Sequence, residues 1–313
     1  MKYRRLGNSG LNISELGLGG NNFGWWANEA DSLAVINHAL EAGINFIDTA
    51  DVYDRGNSER FVGKAVKGKR HQVIIATKFA NPMGSGPNEI GGSRYYIMKA
   101  VDASLQRLQT DYIDLYQMHR PPHPSTPIEE TLRALDDLVR DGKIRYIGCS
   151  NFAAWQLSDA LWTSRVNNLH SFVTVQSRYS LLSREIEAEL VPCCQAHGTG
   201  VIPWGPLAAG FLTGKYRQGE ILPADGRLSL PTPPSIYEGV LTEANWRKLH
   251  QWEAFATAHS HTVGELAIAW LLAKPWVSTV IAGARKIEQV TANVTASEWK
   301  LTPDEVAQVD AIS

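Results

Sequence analysis

Eight short apolar runs recur along this chain, each followed by a polar loop and a stretch with helical spacing. The runs are "ELGLG" from Glu15, "NFIDT" from Asn45, "VIIATK" from Val73 and "IDLYQMH" from Ile113, then "IRYIGCS" from Ile144, "FVTVQ" from Phe172, "GVIPW" from Gly200 and "VSTVIAG" from Val277. Strands alternating with helices build a parallel α/β sheet, because each helix carries the chain back to the same end of the sheet. At eight repeats the expected architecture is a closed (β/α)8 TIM barrel. "SLAVINHALEAG" sets Leu33, Ile36, Ala39 and Leu40 on one helical face and stops at Gly43. "YIMKAVDASLQRL" and "IEETLRALDDLVRDG" share that period, and the second opens after Pro127. Ahead of the repeats, "KYRRLGNSGLNIS" reads as a β-hairpin turning at Asn8-Ser9-Gly10. After the seventh run lies the longest interval: a Gly/Pro-rich loop over 205–240, then helical patterns over 243–259 and 263–272. No linker or low-complexity tract divides the chain, so residues 1–313 are expected to form one domain.

Composition narrows the class. Hydrophobic residues at 44% and charged residues at 20% describe an ordinary globular chain, and a net charge of −2 leaves no basic face for nucleic acid. No apolar run reaches the ~18 residues that would span a bilayer. "MKYRRLGNSG" lacks the apolar centre of a signal peptide. Cys149, Cys193 and Cys194 are odd in number and two are adjacent, which is no disulfide framework. A reducing, cytoplasmic location is expected, with no membrane partner.

In such a barrel the C-terminal strand ends carry the chemistry. There stand Asp48, with Tyr53 just beyond it, Lys78, His119, Ser150-Asn151, Gln176, Trp204 and Gly283-Ala284-Arg285. Singly, each has a bland reading: Asp48 a cap, Lys78 a solvated end, His119 a structural ring, Tyr53 a packing residue. Together on one rim they point to catalysis. Tyrosine's ordinary pKa is near ~10, and a lysine ammonium beside it favours the phenolate and lowers that value. Asp48 is expected to pair with Lys78, and His119 to donate a ring N–H beside the phenol. A carbonyl oxygen between Tyr53 and His119 then takes its proton from Tyr53 as hydride reaches the carbon. Asp51 and Asp54 read as loop and turn residues only. No metal is indicated: His119 and His123 sit in "HRPPH", whose prolines bar a regular zinc-binding helix. His259 and His261 are expected to face solvent at a helix end.

The tracts "NFIDTADVYDRGNSE", "VIIATKF", "IDLYQMHRP", "IRYIGCSNF" and "VIAGARKIEQVTANV" resemble the aldo-keto reductase superfamily, over nearly the whole chain. The resemblance implies a catalytic tetrad of Asp48, Tyr53, Lys78 and His119. It implies a nicotinamide dinucleotide, NADPH rather than NADH, lying across the barrel mouth, and a small carbonyl substrate. Ser150, Asn151 and Gln176 would meet the nicotinamide carboxamide, and Trp204 would stack on its ring. Backbone N–H groups from Gly205 to Gly210, in the tract holding Pro206 and Leu207, would hold the pyrophosphate with Lys215. Gly283 and Ala284 would open an anion site, Arg285 would grip a 2′-phosphate, and Gln289 and Asn293 would lie near the adenine. "GLGGNNFG", residues 17–24, fits the first barrel loop better than a Rossmann turn, with Gly19 and Gly20 admitting the ring. Trp25, Trp26 and Phe79 are expected to wall the substrate pocket. Potassium-channel β subunits are similar to the same family, so a cofactor-binding regulatory subunit is the alternative. A barrel hydrolase or isomerase built on His119 leaves Trp204, Gln176 and Arg285 without a shared purpose.

Overall fold

The computed structural model describes residues 1–122, 126–224, 226–229 and 239–312. An antiparallel hairpin of β1 (Tyr3–Arg5) and β2 (Asn12–Ser14) opens the chain, with Tyr3 opposite Ser14. Eight parallel strands follow: β3 (Leu16–Gly19), β4 (Phe46–Asp48), β5 (Ile74–Phe79), β6 (Ile113–Met118), β7 (Ile144–Ser150), β8 (Thr174–Arg178), β9 (Gly200–Trp204) and β10 (Val280–Gly283). They pair in sequence order, and β10 pairs with β3. The last seam closes where Val201 N donates to Trp276 O at 2.9 Å and Ser278 N donates to Val201 O at 2.9 Å. The hairpin plugs the floor: Leu6 and Ile13 pack with Phe46, Leu115 and Ile281 inside the barrel.

Helices cover the outside. They are α1 (Glu29–Glu41), α2 (Asn57–Ala65), α3 (Arg94–Leu108), α4 (Ile128–Arg140), α5 (Ala154–Val166), α6 (Leu190–His197), α7 (Glu243–Ala258), α8 (Val263–Ala273), α9 (Ile287–Glu298) and α10 (Pro303–Ile312). Their ends follow local chemistry. Asn28 caps α1 by accepting from Asp31 N at 2.9 Å, and Gly43 leaves the helix at a φ of 86°. Thr262 and Glu265 form a capping box on α8. That helix is apolar on nearly every side because α7, α9 and α10 pack around it.

The long interval after β9 runs to α7, and its residues 225 and 230–238 lie outside the described residues, as does His123. His259 and His261 do not simply face solvent. The His261 ring stacks on Trp299 at 4.0 Å, and His259 lies 6.0 Å from the same indole. Among the described residues no helix is long and apolar enough to cross a membrane.

Candidate active site

Alternate residues of each strand enter the barrel lumen. The lower layer is apolar: Phe46, Ala76, Leu115, Ile202 and Ile281. Two residues further along β4, β5 and β6 stand Asp48, Lys78 and Gln117, and Gln176 joins them from β8; all four are buried. The lumen therefore changes from apolar to polar at one level, just below the C-terminal strand ends.

Lys78 Nζ donates to Asp48 Oδ2 at 2.6 Å, to Thr49 O at 2.9 Å and to Tyr53 Oη at 3.3 Å. Asp48 Oδ1 accepts from Gln117 Nε2 at 3.1 Å and Gln176 Nε2 at 2.8 Å. Every charge of the pair thus has partners, which a buried ion pair requires. Gln117 was not among the residues singled out from the sequence. Its signal is a long amide at an inward position of the apolar run "IDLYQMH", two residues before His119.

Tyr53 begins a tight turn, Tyr53–Gly56. Asp54 and Arg55 take φ values of 46° and 54°, strained for residues with a Cβ. The turn is braced from the first barrel loop, because Asp54 packs on Gly24: a Cβ there would stand 2.1 Å from Asp54 Oδ2. Asn57 Nδ2 also donates to Asp54 Oδ2 at 2.9 Å. Asp54 is more than a turn former. Tyr53 and His119 meet edge-on, with ring centroids 5.8 Å apart.

Burial dominates the electrostatics. It pushes the Tyr53 phenol above its ordinary value of 10.0, and the Lys78 ammonium draws it only part of the way back. The net lowering expected from Lys78 alone is therefore reversed. Burial opposes the charge on Lys78, but Asp48 outweighs it and the ammonium is held above its ordinary range. Burial, with Lys78 and Arg120 adding repulsion, keeps His119 well below 6.5, so its ring is neutral at neutral pH.

Around this centre the strand ends are tied together. Asn151, at a φ of 60°, donates from Nδ2 to His119 O and to Ser150 Oγ, each at 3.0 Å. Its Oδ1 accepts from Trp204 Nε1 at 3.1 Å, which fixes the indole at the mouth. Beyond Trp204, Gly205 has a φ of 69° and open space where a side chain would stand. Lys215 lies along Gly210, with its Nζ 5.0 Å from the Tyr216 ring. On the other side, Gln289 Oε1 accepts from Arg285 N at 2.7 Å; Ala284 and Asn293 are buried, and Gly283 is exposed.

A sequence model described as the aldo/keto reductase family matches residues 15–313. The chain belongs to that family. A probable voltage-gated potassium channel subunit beta from Oryza sativa subsp. japonica is 36% identical, over 100% of this chain and 96% of that protein. Versiconal hemiacetal acetate reductase from Aspergillus parasiticus is 35% identical, over 99% of this chain and 96% of that protein. An aldo-keto reductase from Alternaria alternata, AMT2, is 36% identical, over 98% of this chain and 90% of that protein. Membership supports an oxidoreductase that acts on carbonyl groups.

Within this aldo/keto reductase, several expected positions serve differently. Phe79 is no pocket wall: it follows the inward Lys78, points outward, is fully buried and stacks on Tyr116 at 4.7 Å. Trp25 and Trp26 pack edge to face at 5.7 Å, with Trp25 6.3 Å from the Tyr53 ring. Gly19 and Gly20 are small for internal reasons. A Cβ would stand 2.8 Å from Ile281 Cγ2 at the first and 2.8 Å from Ser58 Oγ at the second. Two backbone donors in the 205–210 tract are engaged inside the loop, Ala208 N with Gly205 O at 3.0 Å and Gly210 N with Leu207 O at 2.8 Å. Pro206 has no N–H at all. Asp51 is not an ordinary loop acid: it is 1% exposed, and its carboxyl lies against the Tyr96 hydroxyl. Among the described residues no group of three His, Cys, Asp or Glu side chains is placed to hold a metal ion.

Proposed function

We propose that the protein is an NADPH-dependent reductase of aldehydes or ketones with Tyr53 as general acid. The observation that carries this reading is the buried Lys78 ammonium, in contact with Asp48 at 2.6 Å and Tyr53 at 3.3 Å at once. When bound, the nicotinamide dinucleotide supplies the hydride. The donor set fits such a group: an indole fixed by Asn151 at the mouth, an uncovered backbone at Gly205, and the cations Lys215, Arg285 and Lys286 beyond.

The roles of the chain's own residues follow from their chemistry. Burial keeps the Tyr53 phenol protonated at neutral pH, so the proton is present when a carbonyl oxygen needs it. Lys78 lies against Oη and stabilises the phenolate left behind. Asp48 holds Lys78 charged, and Gln117 and Gln176 hold Asp48. Neutral His119 donates one ring N–H to the same carbonyl oxygen and helps orient it. General acid catalysis of this kind contributes roughly 10²–10⁴ in rate. Ser150, Asn151 and Trp204 position the nicotinamide end, and Arg285 with Lys286 favours a 2′-phosphate.

The test is a panel of aldehydes and ketones with NADPH, run on wild type and Tyr53→Phe. The expected result is that Tyr53→Phe binds nucleotide normally and loses most turnover; equal turnover would remove the acid from Tyr53. The full-length likeness to a potassium channel β subunit supports a second reading, a cofactor-binding regulatory subunit. A wild type that binds NADPH and oxidises it with no carbonyl in the panel favours that reading.

A further inference from the structure

Asp51 stands two residues before Tyr53, and its backbone N–H donates to Lys78 O at 3.2 Å. Its side chain turns away from the mouth into the space between the barrel and α2 and α3. Four polar atoms are buried there: Asp51 Oδ1 and Oδ2, Asn81 Oδ1 and Tyr116 Oη. Tyr96 joins them, donating from Oη to Asn81 O at 3.1 Å and lying with the same hydroxyl against the Asp51 carboxyl. Buried polar groups are paired with few exceptions, and the Tyr96 hydroxyl is the partner within reach of the Asp51 carboxyl.

The charged groups around Asp51 are settled among themselves. On α2, Glu59 is fully buried and accepts from Arg107 Nε of α3 at 2.5 Å and from Thr77 Oγ1 of β5 at 2.6 Å. Arg107 runs beneath the turn that follows Tyr53: a Cβ on Gly56 would stand 2.4 Å from Arg107 Cδ. Glu59, Arg107 and Lys78 act on Asp51 by charge, and Tyr96 and Tyr116 are its titratable hydroxyl neighbours.

We propose that Asp51 is a positioning residue for the general acid, its carboxyl set against the Tyr96 hydroxyl in a buried cluster with Asn81 and Tyr116. This role rests on the reading of Tyr53 as the acid. The span from Asp51 to Tyr53 leads directly into the strained Asp54-Arg55 turn, so an anchor on its buried side decides where the phenol points. Burial, with Glu59 adding to it, pushes the Asp51 pKa up to about 8. At neutral pH the carboxyl is therefore an O–H donor, and Tyr96 Oη, whose own proton goes to Asn81 O, accepts from it. Ionisation removes that donor and sets a second anion beside Glu59.

The experiment measures kcat, KM and NADPH Kd for wild type, Asp51→Ala and Asp51→Asn, from neutral pH to well above 8, with Tyr53→Phe as control. Asp51→Ala is expected to lose roughly tenfold to a hundredfold in kcat, the scale of a small misplacement of a reacting group, with KM and Kd unchanged. Asp51→Asn, which keeps an amide donor, recovers most of that loss. A fall in kcat near pH 8 is expected of wild type and not of Asp51→Asn. Wild-type kcat in Asp51→Ala, or the same fall near pH 8 in Asp51→Asn, overturns the proposal. If Asp51→Ala does not fold, the Asn profile decides alone. An active Tyr53→Phe removes the acid and this role with it. An inactive Tyr53→Phe beside a fully active Asp51→Ala removes this role only. A high-resolution crystal structure with the Asp51 carboxyl out of reach of Tyr96 Oη overturns the anchor.

Discussion

Lys78 Nζ lies 3.3 Å from Tyr53 Oη and 2.6 Å from Asp48 Oδ2, so a single buried cation touches both the phenol and its own counter-ion. Stability and chemistry are therefore coupled at this lysine. Removing one member of a buried pair strands the other charge and costs about 3–5 kcal/mol. Lys78→Met is accordingly expected to lose stability on that scale in urea titrations and to lose turnover as well. Adding Asp48→Asn to the same chain restores most of the stability, since no charge is then stranded, and restores none of the turnover. A Lys78→Met protein as stable as wild type would mean that the pair is not buried as described.

The eight strand runs were legible because a short apolar run closed by a polar residue is a local pattern. The placement of Asp48, Lys78, His119, Gln176 and Trp204 was legible for the same reason: each ends one of those runs or stands within one residue of its end. Gln117 was missed because its meaning depends on which face of β6 looks inward, and pairing sets that: Gln117 lies opposite Lys78 on β5. Phe79 was misread for the complementary reason, one step out of phase with Lys78. The reversal at Tyr53 came from weighing a near charge without the burial that opposes it. Asp51 looked like a turn residue because a run of acids in a loop carries no sign of the helices that later bury it.

Arg285 is expected to separate the two nicotinamide cofactors. Its backbone N–H is already capped by Gln289 Oε1 at 2.7 Å, so shortening the side chain leaves the local turn held. A charge-assisted bond to phosphate is worth about 1.5–3 kcal/mol, or roughly tenfold to a hundredfold in affinity. Fluorescence titration of Arg285→Ala should therefore show NADPH weakened on that scale and NADH hardly moved. Equal weakening of both would take the 2′-phosphate away from Arg285.

Asp51 and His119 should tilt the stability profile in opposite directions. Asp51 has an ordinary value of 3.8 and about 8 in the fold, so between those values the folded protein holds a proton that the unfolded chain has released. Stability is then full below pH 3.8 and declines until pH reaches about 8. Each pKa unit is worth about 1.4 kcal/mol, which makes the total several kcal/mol before relaxation of the surroundings reduces it. His119 is displaced the other way, well below 6.5, so the unfolded chain binds the extra proton. Its share is complete above 6.5 and is lost as pH falls below that value. Urea titrations across this range should show Asp51→Asn gaining on wild type as pH rises toward 8, and His119→Asn gaining as pH falls below 6.5. A constant difference between Asp51→Asn and wild type over the whole range would mean that Asp51 is ionised in the fold, and the neutral donor set against Tyr96 would go with it.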